Sequence, residues 1–412
     1  MKPIITNSFL TLSILVTFSA MAGTNSWTPV AIGPAGTYIA IVRFDDLNPL
    51  IGYVGSYNQG LFKTTDGGMD WFSIGPEPIA PHPFVSVTDV ATDPTNSSTL
   101  YGFAFGWPAS FTNSVFKSLD GGSNWVSMGS GLPTFDNNLQ PSPIAVDPTN
   151  PATLLLEAHT TSGSSPSRLF RSTDAGTNWS EIITTGLSVQ RIYELAFDPI
   201  VPQRIYAVAD GGIYVSTNGG TNWSQHLIGG GATPTVIRLD KSRPGTIFVG
   251  SNGGPYKSTD GGLTWVSTPT LGEQSLAMSI DRYIPDVIFS GGTEGKLFRS
   301  QDRGNSYDYL ATLPGFTPVM YLLEFQPATK TIFAGGLGTL YSWTIVEPPM
   351  LTIGSSLIVK CPTQVGFSYQ LQESSDLVGW TNTGSLKTGD GFVQCFTNST
   401  AAKQEFYRVF FQ

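Results

Sequence analysis

Short apolar runs bounded by turn residues recur along almost the whole chain. Seven are rich in β-branched and aromatic residues and read as strands: Ile51–Val54, Thr99–Phe103, Thr153–Leu156, Arg204–Val208, Thr246–Val249, Val287–Phe289 and Thr331–Ala334. Each is preceded by another strand-like run ending in a turn, at Asp45, Asp93, Asp147, Asp198, Asp240, Asp281 and Gln326. Proline follows directly in Asp93-Pro94 and Asp198-Pro199, as suits a turn.

After the first six of these pairs comes one motif. It reads Thr64-Thr-Asp-Gly-Gly-Met-Asp-Trp71, Ser118-Leu-Asp-Gly-Gly-Ser-Asn-Trp125, Ser172-Thr-Asp-Ala-Gly-Thr-Asn-Trp179, Ser216-Thr-Asn-Gly-Gly-Thr-Asn-Trp223, Ser258-Thr-Asp-Gly-Gly-Leu-Thr-Trp265 and Ser300-Gln-Asp-Arg-Gly-Asn-Ser-Tyr307. The closing aromatics lie 54, 54, 44, 42 and 42 residues apart. A period of this length in strand-rich sequence predicts the blades of a β-propeller. The motif resembles the Asp-box, Ser/Thr-x-Asp-x-Gly-x-x-Trp. In that motif the Asp accepts backbone N–H bonds in a tight turn and the Trp packs between blades. The resemblance gives Asp66, Asp120, Asp174, Asn218, Asp260 and Asp302 structural roles, on the face away from any functional site.

The seventh pair has no box. Its missing outer strand is expected from the other end of the chain, where Asn25-Ser-Trp27-Thr-Pro-Val-Ala-Ile-Gly33 matches the segment after a box, such as Trp71-Phe-Ser-Ile-Gly75. The prediction is an all-β chain: a seven-bladed propeller over residues 23–347, closed by an N-terminal strand, and a small β-sandwich module over 348–412. The last part resembles small β-sandwich modules of secreted bacterial proteins. It holds both cysteines, Cys361 and Cys395, expected to form a disulfide in an exported protein. Residues 1–22 read as a signal peptide: Lys2, an apolar run Phe9–Ala20, then Ala20-Met-Ala22. That run is shorter than the ~20 residues a membrane span needs. The protein is therefore expected to be secreted, periplasmic or at the cell surface, with no membrane span after cleavage.

Composition narrows the function. Charged residues are only 12%, against 46 Gly and 29 Pro, which favours many short strands over helices. A net charge of -9 argues against nucleic acid as a partner. Three His and two Cys offer no metal cluster, and no cofactor is expected. His82, His159 and His226 are scattered and read as loop or surface residues.

Candidate chemistry emerges when the inner strands are aligned on their turn residue. Two positions before it stand Arg43, Ala91, Ala145, Ala196, Arg238, Ser279 and Glu324; four before it, Ile41, Asp89, Pro143, Glu194, Val236, Ala277 and Leu322. Five charges break a small or apolar pattern. Asp89, Glu194 and Glu324 are the candidate catalytic carboxylates, and Arg43 and Arg238 candidate ligand-binding groups for a carboxylate or sulfate. Glu324 and Arg43, from blades that meet at the closure, are expected to form an ion pair. Two longer connections, with Trp107 and Phe111 in one and Thr160–Ser167 in the next, are expected on the face opposite the boxes, where aromatic loops suit sugar or protein contact.

The chain is similar to Asp-box propellers of the photosystem II assembly-factor, sialidase and xyloglucanase types. Gly60-Leu-Phe-Lys-Thr-Thr-Asp-Gly-Gly68 resembles a string of the xyloglucanases, which work in a cleft between two propellers; here there is one. The early Arg-Ile/Leu-Pro signature of sialidases is missing. In size and blade number the chain looks like the assembly-factor type. The expectation is an exported, monomeric, non-catalytic scaffold that binds a protein or glycan through the face opposite the boxes. The alternative is a glycoside hydrolase or lyase acting on a polysaccharide.

Overall fold

The computed structural model describes residues 27–345, apart from 35–36, 76–84, 107–113, 136–138, 164, 269–272, 315–318 and 337–338, together with the strands between 352 and 411. The expected signal peptide, His82, Trp107 and Phe111 lie outside the described residues. No helix among those described is long and apolar enough to cross a membrane.

Seven four-stranded antiparallel sheets form a β-propeller. The inner strands are Ile39–Phe44, Val85–Asp93, Leu139–Val146, Ile192–Phe197, Pro234–Leu239, Ala277–Ile280 and Leu322–Gln326, each beside the turn residue read from sequence. Six blades take all four strands from consecutive sequence; the seventh takes its outer strand from Thr28–Pro29, which pairs with Leu340–Thr344 as Thr28↔Ser342 and Pro29↔Tyr341. The Trp27 ring meets Trp343 at 5.4 Å. Apart from Asn96–Ser98, the described residues of the second strands are almost wholly buried, and Tyr53, Tyr101, Tyr206, Phe248, Phe289 and Phe333 fill the spaces between sheets. Burial of such large rings is the main driving force for stacking blades.

The repeated turns are built alike. In blade 2, Ser118 Oγ donates to Asp120 Oδ1 at 2.8 Å and accepts from the Gly122 amide at 2.8 Å, while Asp120 Oδ1 accepts from the Asn124 amide at 2.8 Å. Asn218 does the same work through its amide oxygen, accepting from Ser216 Oγ at 3.0 Å and the Asn222 amide at 2.9 Å. Hydrogen bonds from the residue four positions on hold Asp120, Asp174 and Asp260 down to about 2. These carboxylates are charged acceptors spent on local geometry.

Neighbouring blades are latched at the same turns. Trp125 Nε1 donates to the Ile74 carbonyl of the preceding blade, and Trp179 Nε1 to that of Met128. From the other side, the third-strand residue before each turn reaches forward: Lys63 Nζ to the Gly121 carbonyl at 2.8 Å, Lys117 Nζ to Ala175 at 2.9 Å, and Arg171 to Gly219. In blade 4 that position is Val215, and Arg204 lies against Gly261 of the next turn instead.

The turns also define the two faces. The amide of the residue after the central Asp or Asn bonds the loop between first and second strands of its own blade: Gly67 to Leu50, Gly121 to Ser98, Ala175 to Ala152, Gly219 to Gln203, Gly261 to Gly245 and Arg303 to Asp286. Both sets of turns therefore share one face, here the turn face. The connections between second and third strands lie on the other, the open face, and Thr160–Ser167 falls there as expected.

The described strands between 352 and 411 form two small antiparallel sheets. Pairing sets Cys361 opposite Gln394 and Cys395 opposite Lys360, so the two cysteines are one register step apart rather than directly across from each other.

Candidate functional site: the axis and the open face

Contacts between blades that are not neighbours locate the axis. Arg43 of blade 1 meets Glu194 of blade 4 at 3.7 Å, and Arg238 of blade 5 meets the same oxygen at 2.6 Å. Glu194 Oε2 also accepts from the Ile237 amide at 2.9 Å. Toward the turn face, Arg282 of blade 6 spans to blade 1, bonding the Asp45 carbonyl and meeting Asp46 at 3.3 Å; Lys241 of blade 5 closes on Asp46 from the other side. Glu324 lies 3.9 Å from Arg282.

The expected Arg43–Glu324 pair is thus replaced. Arg43 crosses the channel to Glu194, and Glu324 turns to Arg282. The reason is supply: Arg282, Asp46 and Lys241 sit one residue beyond the turn residues Asp281, Asp45 and Asp240, a position the strand alignment did not sample. Reading that position across the repeats, where other blades carry proline, would have found them. Burial opposes the Arg43 charge, but Glu194, Asp89, Glu324 and Asp46 more than offset it, so its pKa lies above the ordinary arginine value. Burial lifts Glu324 above the usual carboxylate range against the pull of Arg43, Arg238 and Arg282.

Asp89 is placed differently from the other candidates. It is buried, and its two oxygens accept from the Val90 amide at 2.9 Å and the Ile144 amide of blade 3 at 3.0 Å. It clips two inner strands together. Burial pushes it up to about 6, against Arg43 and these two amides. Because the folded value lies above the unfolded one, its contribution to stability is full below pH ~4 and is lost as pH rises through ~6. The unfolding free energy of the wild type should therefore fall by about 1 kcal/mol more between pH 5 and pH 7.5 than that of Asp89→Asn, measured by urea denaturation. Equal slopes would exclude this role.

A second carboxylate clip was not legible. Glu157, fully buried on the second strand of blade 3, accepts from the Ile192 amide of blade 4 at 3.3 Å and meets His159 Nδ1 at 3.0 Å. His159 is buried, not a loop or surface residue, because that strand continues under the blade 3 connection. A charged residue inside an apolar run, Leu154-Leu-Leu-Glu-Ala-His159, was the available signal.

The open-face end of the channel is shaped by bulges. The inner strands of blades 1 to 5 each shift register about five residues before the turn, at Ile39/Ile41, Val87/Asp89, Pro141/Ile144, Ile192/Glu194 and Pro234/Val236. A bulge re-aims the strand and leaves the extra residue unpaired in the ladder. In blade 4 that residue is Tyr193, which donates to Asp210 Oδ1 at 2.6 Å and carries Arg191 over its ring at 5.7 Å. Across the mouth stand Tyr38 and Tyr57 of blade 1 and Tyr321 of blade 7. Tyr57 N bonds the Tyr38 carbonyl at 2.8 Å, and Tyr321 N bonds that of Gly335 at 3.1 Å. The four tyrosines are 42–55% exposed. Other charges at this face are turned on each other: Lys296 between Glu273 at 2.5 Å and Glu294 at 2.7 Å, and Arg168 on Glu181 at 2.5 Å.

No family model matches the chain, and no curated protein matches it. Solved structures do. YCF48 bound to a D1 peptide superposes with a TM-score of 0.55 at 20% identity over 79% of this chain and 98% of that one. YCF48 from Cyanidioschyzon merolae gives 0.57 at 17% over 77% and 98%. An ancestral GH74 enzyme gives 0.58 at 16% over 84% of this chain but only 51% of the enzyme, so the chain spans about half its length. The fold is the one shared by these propellers.

Proposed function

We propose that this protein is an exported, non-catalytic binding or assembly scaffold, acting as a monomer, that holds a protein segment or glycan chain on its open face. What supports this reading is the state of the axial carboxylates. Glycoside chemistry needs two carboxyl groups facing a substrate about 5–10 Å apart, one free to give a proton and one free to attack or to activate water. Asp89 holds two backbone amides, Glu194 two arginines and an amide, and Glu324 lies against Arg282. Each is already engaged by the fold. Arg43 and Arg238 are engaged by Glu194 in the same way, which leaves the exposed tyrosines as the groups presented to a ligand. Tyrosine offers a flat apolar face and a hydroxyl at little entropic loss, suited to stacking on sugars or packing against peptide side chains. YCF48, a propeller of this fold, has been seen with a D1 peptide bound.

The test is a glycan and peptide array with the purified protein, followed by Tyr38→Ala and Tyr321→Ala. Each substitution should weaken a specific hit by about tenfold, the scale of an interfacial aromatic anchor, with unfolding unchanged. A polysaccharide panel incubated with the protein should yield no new reducing ends or unsaturated products. Turnover that disappears in Glu194→Gln would overturn the scaffold reading in favour of the hydrolase.

A further inference from the structure

Arg43 and Arg238, the arginines expected to hold an anion, are occupied by Glu194 inside the channel. At the open face Arg168 is occupied by Glu181, and Lys296 by Glu273 and Glu294. Arg191 is different. It is exposed in the connection that leads into the inner strand of blade 4, and no carboxylate among the described residues pairs with it. Its guanidinium lies over the ring of Tyr193, 5.7 Å from the centroid.

Strand register brings a third group to the same place. Ile192 pairs with Ala209 across the first two strands of blade 4, so Arg191 and Tyr193 flank one member of the pair and Asp210 follows the other. Tyr193, left out of the ladder by the bulge, is 42% exposed and donates its hydroxyl to Asp210 Oδ1 at 2.6 Å. The Asp210 carboxylate, accepting this bond, holds the phenol above its ordinary pKa, so the tyrosine stays a neutral donor. The base beneath is fixed. Ile192 is fully buried, and its amide bonds the buried Glu157 at 3.3 Å. Asp210-Gly211 is a tight turn that closes the pair Ala209↔Gly212, with Gly211 at φ +87° and its carbonyl accepting from Gln225 Nε2 at 2.9 Å. A ligand therefore meets groups already in place, and little ordering is needed on binding.

We infer that Arg191, Tyr193 and Asp210 form a subsite for a uronic acid residue of a polysaccharide. The subsite depends on the open face being the binding face. Tyr193 offers a sugar ring an apolar surface. Arg191 offers a planar fork of donors that matches a carboxylate. Asp210 Oδ2, which takes no hydrogen bond from the described residues, is an acceptor for sugar hydroxyls. A neutral sugar would leave the arginine charge unmatched. A peptide carboxylate or a phosphate would bring negative charge to Asp210 with no hydroxyls to satisfy it. A sugar acid carries its carboxylate on one edge of the ring and hydroxyls on the opposite edge, and so serves both groups.

Isothermal titration calorimetry with the full chain tests this. The probes are oligomers of galacturonate, of mannuronate and of glucuronate-bearing xylan, each beside its carboxyl-reduced form. At least one acid oligomer should bind, about tenfold more tightly than its reduced form. Arg191→Gln should lower that affinity about tenfold and bring the two forms level. Arg191→Lys should recover part of the loss, since an ammonium supplies the charge without the fork. Tyr193→Ala should weaken both forms. Arg191 and Tyr193 are exposed, and unchanged thermal unfolding checks that the variants stay folded. Equal binding of acid and reduced forms, or acid binding indifferent to Arg191→Gln, would overturn the uronate subsite and leave a glycan scaffold standing. No binding by any oligomer, with a peptide hit on the array lost in Tyr38→Ala or Tyr321→Ala, would overturn it and leave a protein scaffold. Silence from both the oligomers and the array would take the open-face reading down with it.

Discussion

Glu194→Ala should destabilise the propeller by about 3 kcal/mol, within the usual loss when one partner of a largely buried ion pair is removed. Three groups lose their acceptor at once: Arg43, Arg238 and the Ile237 amide. Arg238 is only 20% exposed at its side chain and lies between inner strands, so it cannot recover full hydration. Arg43 is 36% exposed, and water entering the channel limits its share of the loss. Arg43→Ala should cost less than half as much, because Glu194 keeps Arg238 and its amide. Glu194→Gln should fall between the two, retaining an acceptor for Ile237 without the charge. Urea midpoints with unchanged slopes would measure all three. A Glu194→Ala protein within 1 kcal/mol of wild type would show that the axial charges do not hold the ring.

Gly68→Ala should be at least as damaging, at about 3–5 kcal/mol. Gly68 sits in the first repeated turn at φ +97°, a left-handed conformation that a Cβ disfavours. A methyl group there would stand 2.2 Å from Phe333 Cζ, deep inside the joint between blades 1 and 7. Phe333 cannot retreat, because Phe44 at 5.3 Å and Trp71 at 6.2 Å pack against it and it is 1% exposed. Phe333→Leu removes the ring edge that collides. In the Gly68→Ala background it should recover roughly 1–2 kcal/mol, although alone it destabilises through lost packing. A cycle with no coupling would mean that the backbone strain, not the aromatic joint, carries the loss.

The blades were legible because their signals are local. Each turn needs an acceptor, a glycine and an aromatic at fixed offsets, and the repeat prints them six times; even Asn218 could be read, since its oxygen does what the aspartates do. The closing strand at Thr28–Pro29 was read from its likeness to the segment after Trp71. The axial candidates were legible as exceptions to an apolar pattern, but their partners were not. Pairing across the channel depends on which side chains reach the centre from blades 1, 4, 5, 6 and 7, and no sequence separation encodes that. Arg43 therefore went to Glu194, some 150 residues away, rather than to its neighbour across the closure. The clip roles of Asp89, already legible as an axial charge, and of Glu157 were hidden for a related reason. Their role is to receive backbone amides of the next blade, and an amide has no letter in the sequence.

The closing strand also sets the order in which this ring can be made. Val30 N bonds the Leu340 carbonyl, and Thr28 and Pro29 pair with Ser342 and Tyr341, so a patch of two or three residues waits for partners more than 300 positions downstream. Every other joint can form as soon as the following blade has been synthesised. This one needs the whole circle, and the entropy of bringing such distant ends together is met only when these hydrogen bonds form along with the Trp27–Trp343 contact and the Phe44–Phe333–Trp71 joint between blades 1 and 7. Until then, the strand Leu340–Thr344 offers a bare edge with unpaired amides and carbonyls. The growing ring is for most of its assembly an open arc with a sticky end, and the few residues around Trp27 are what turn that arc into a closed body.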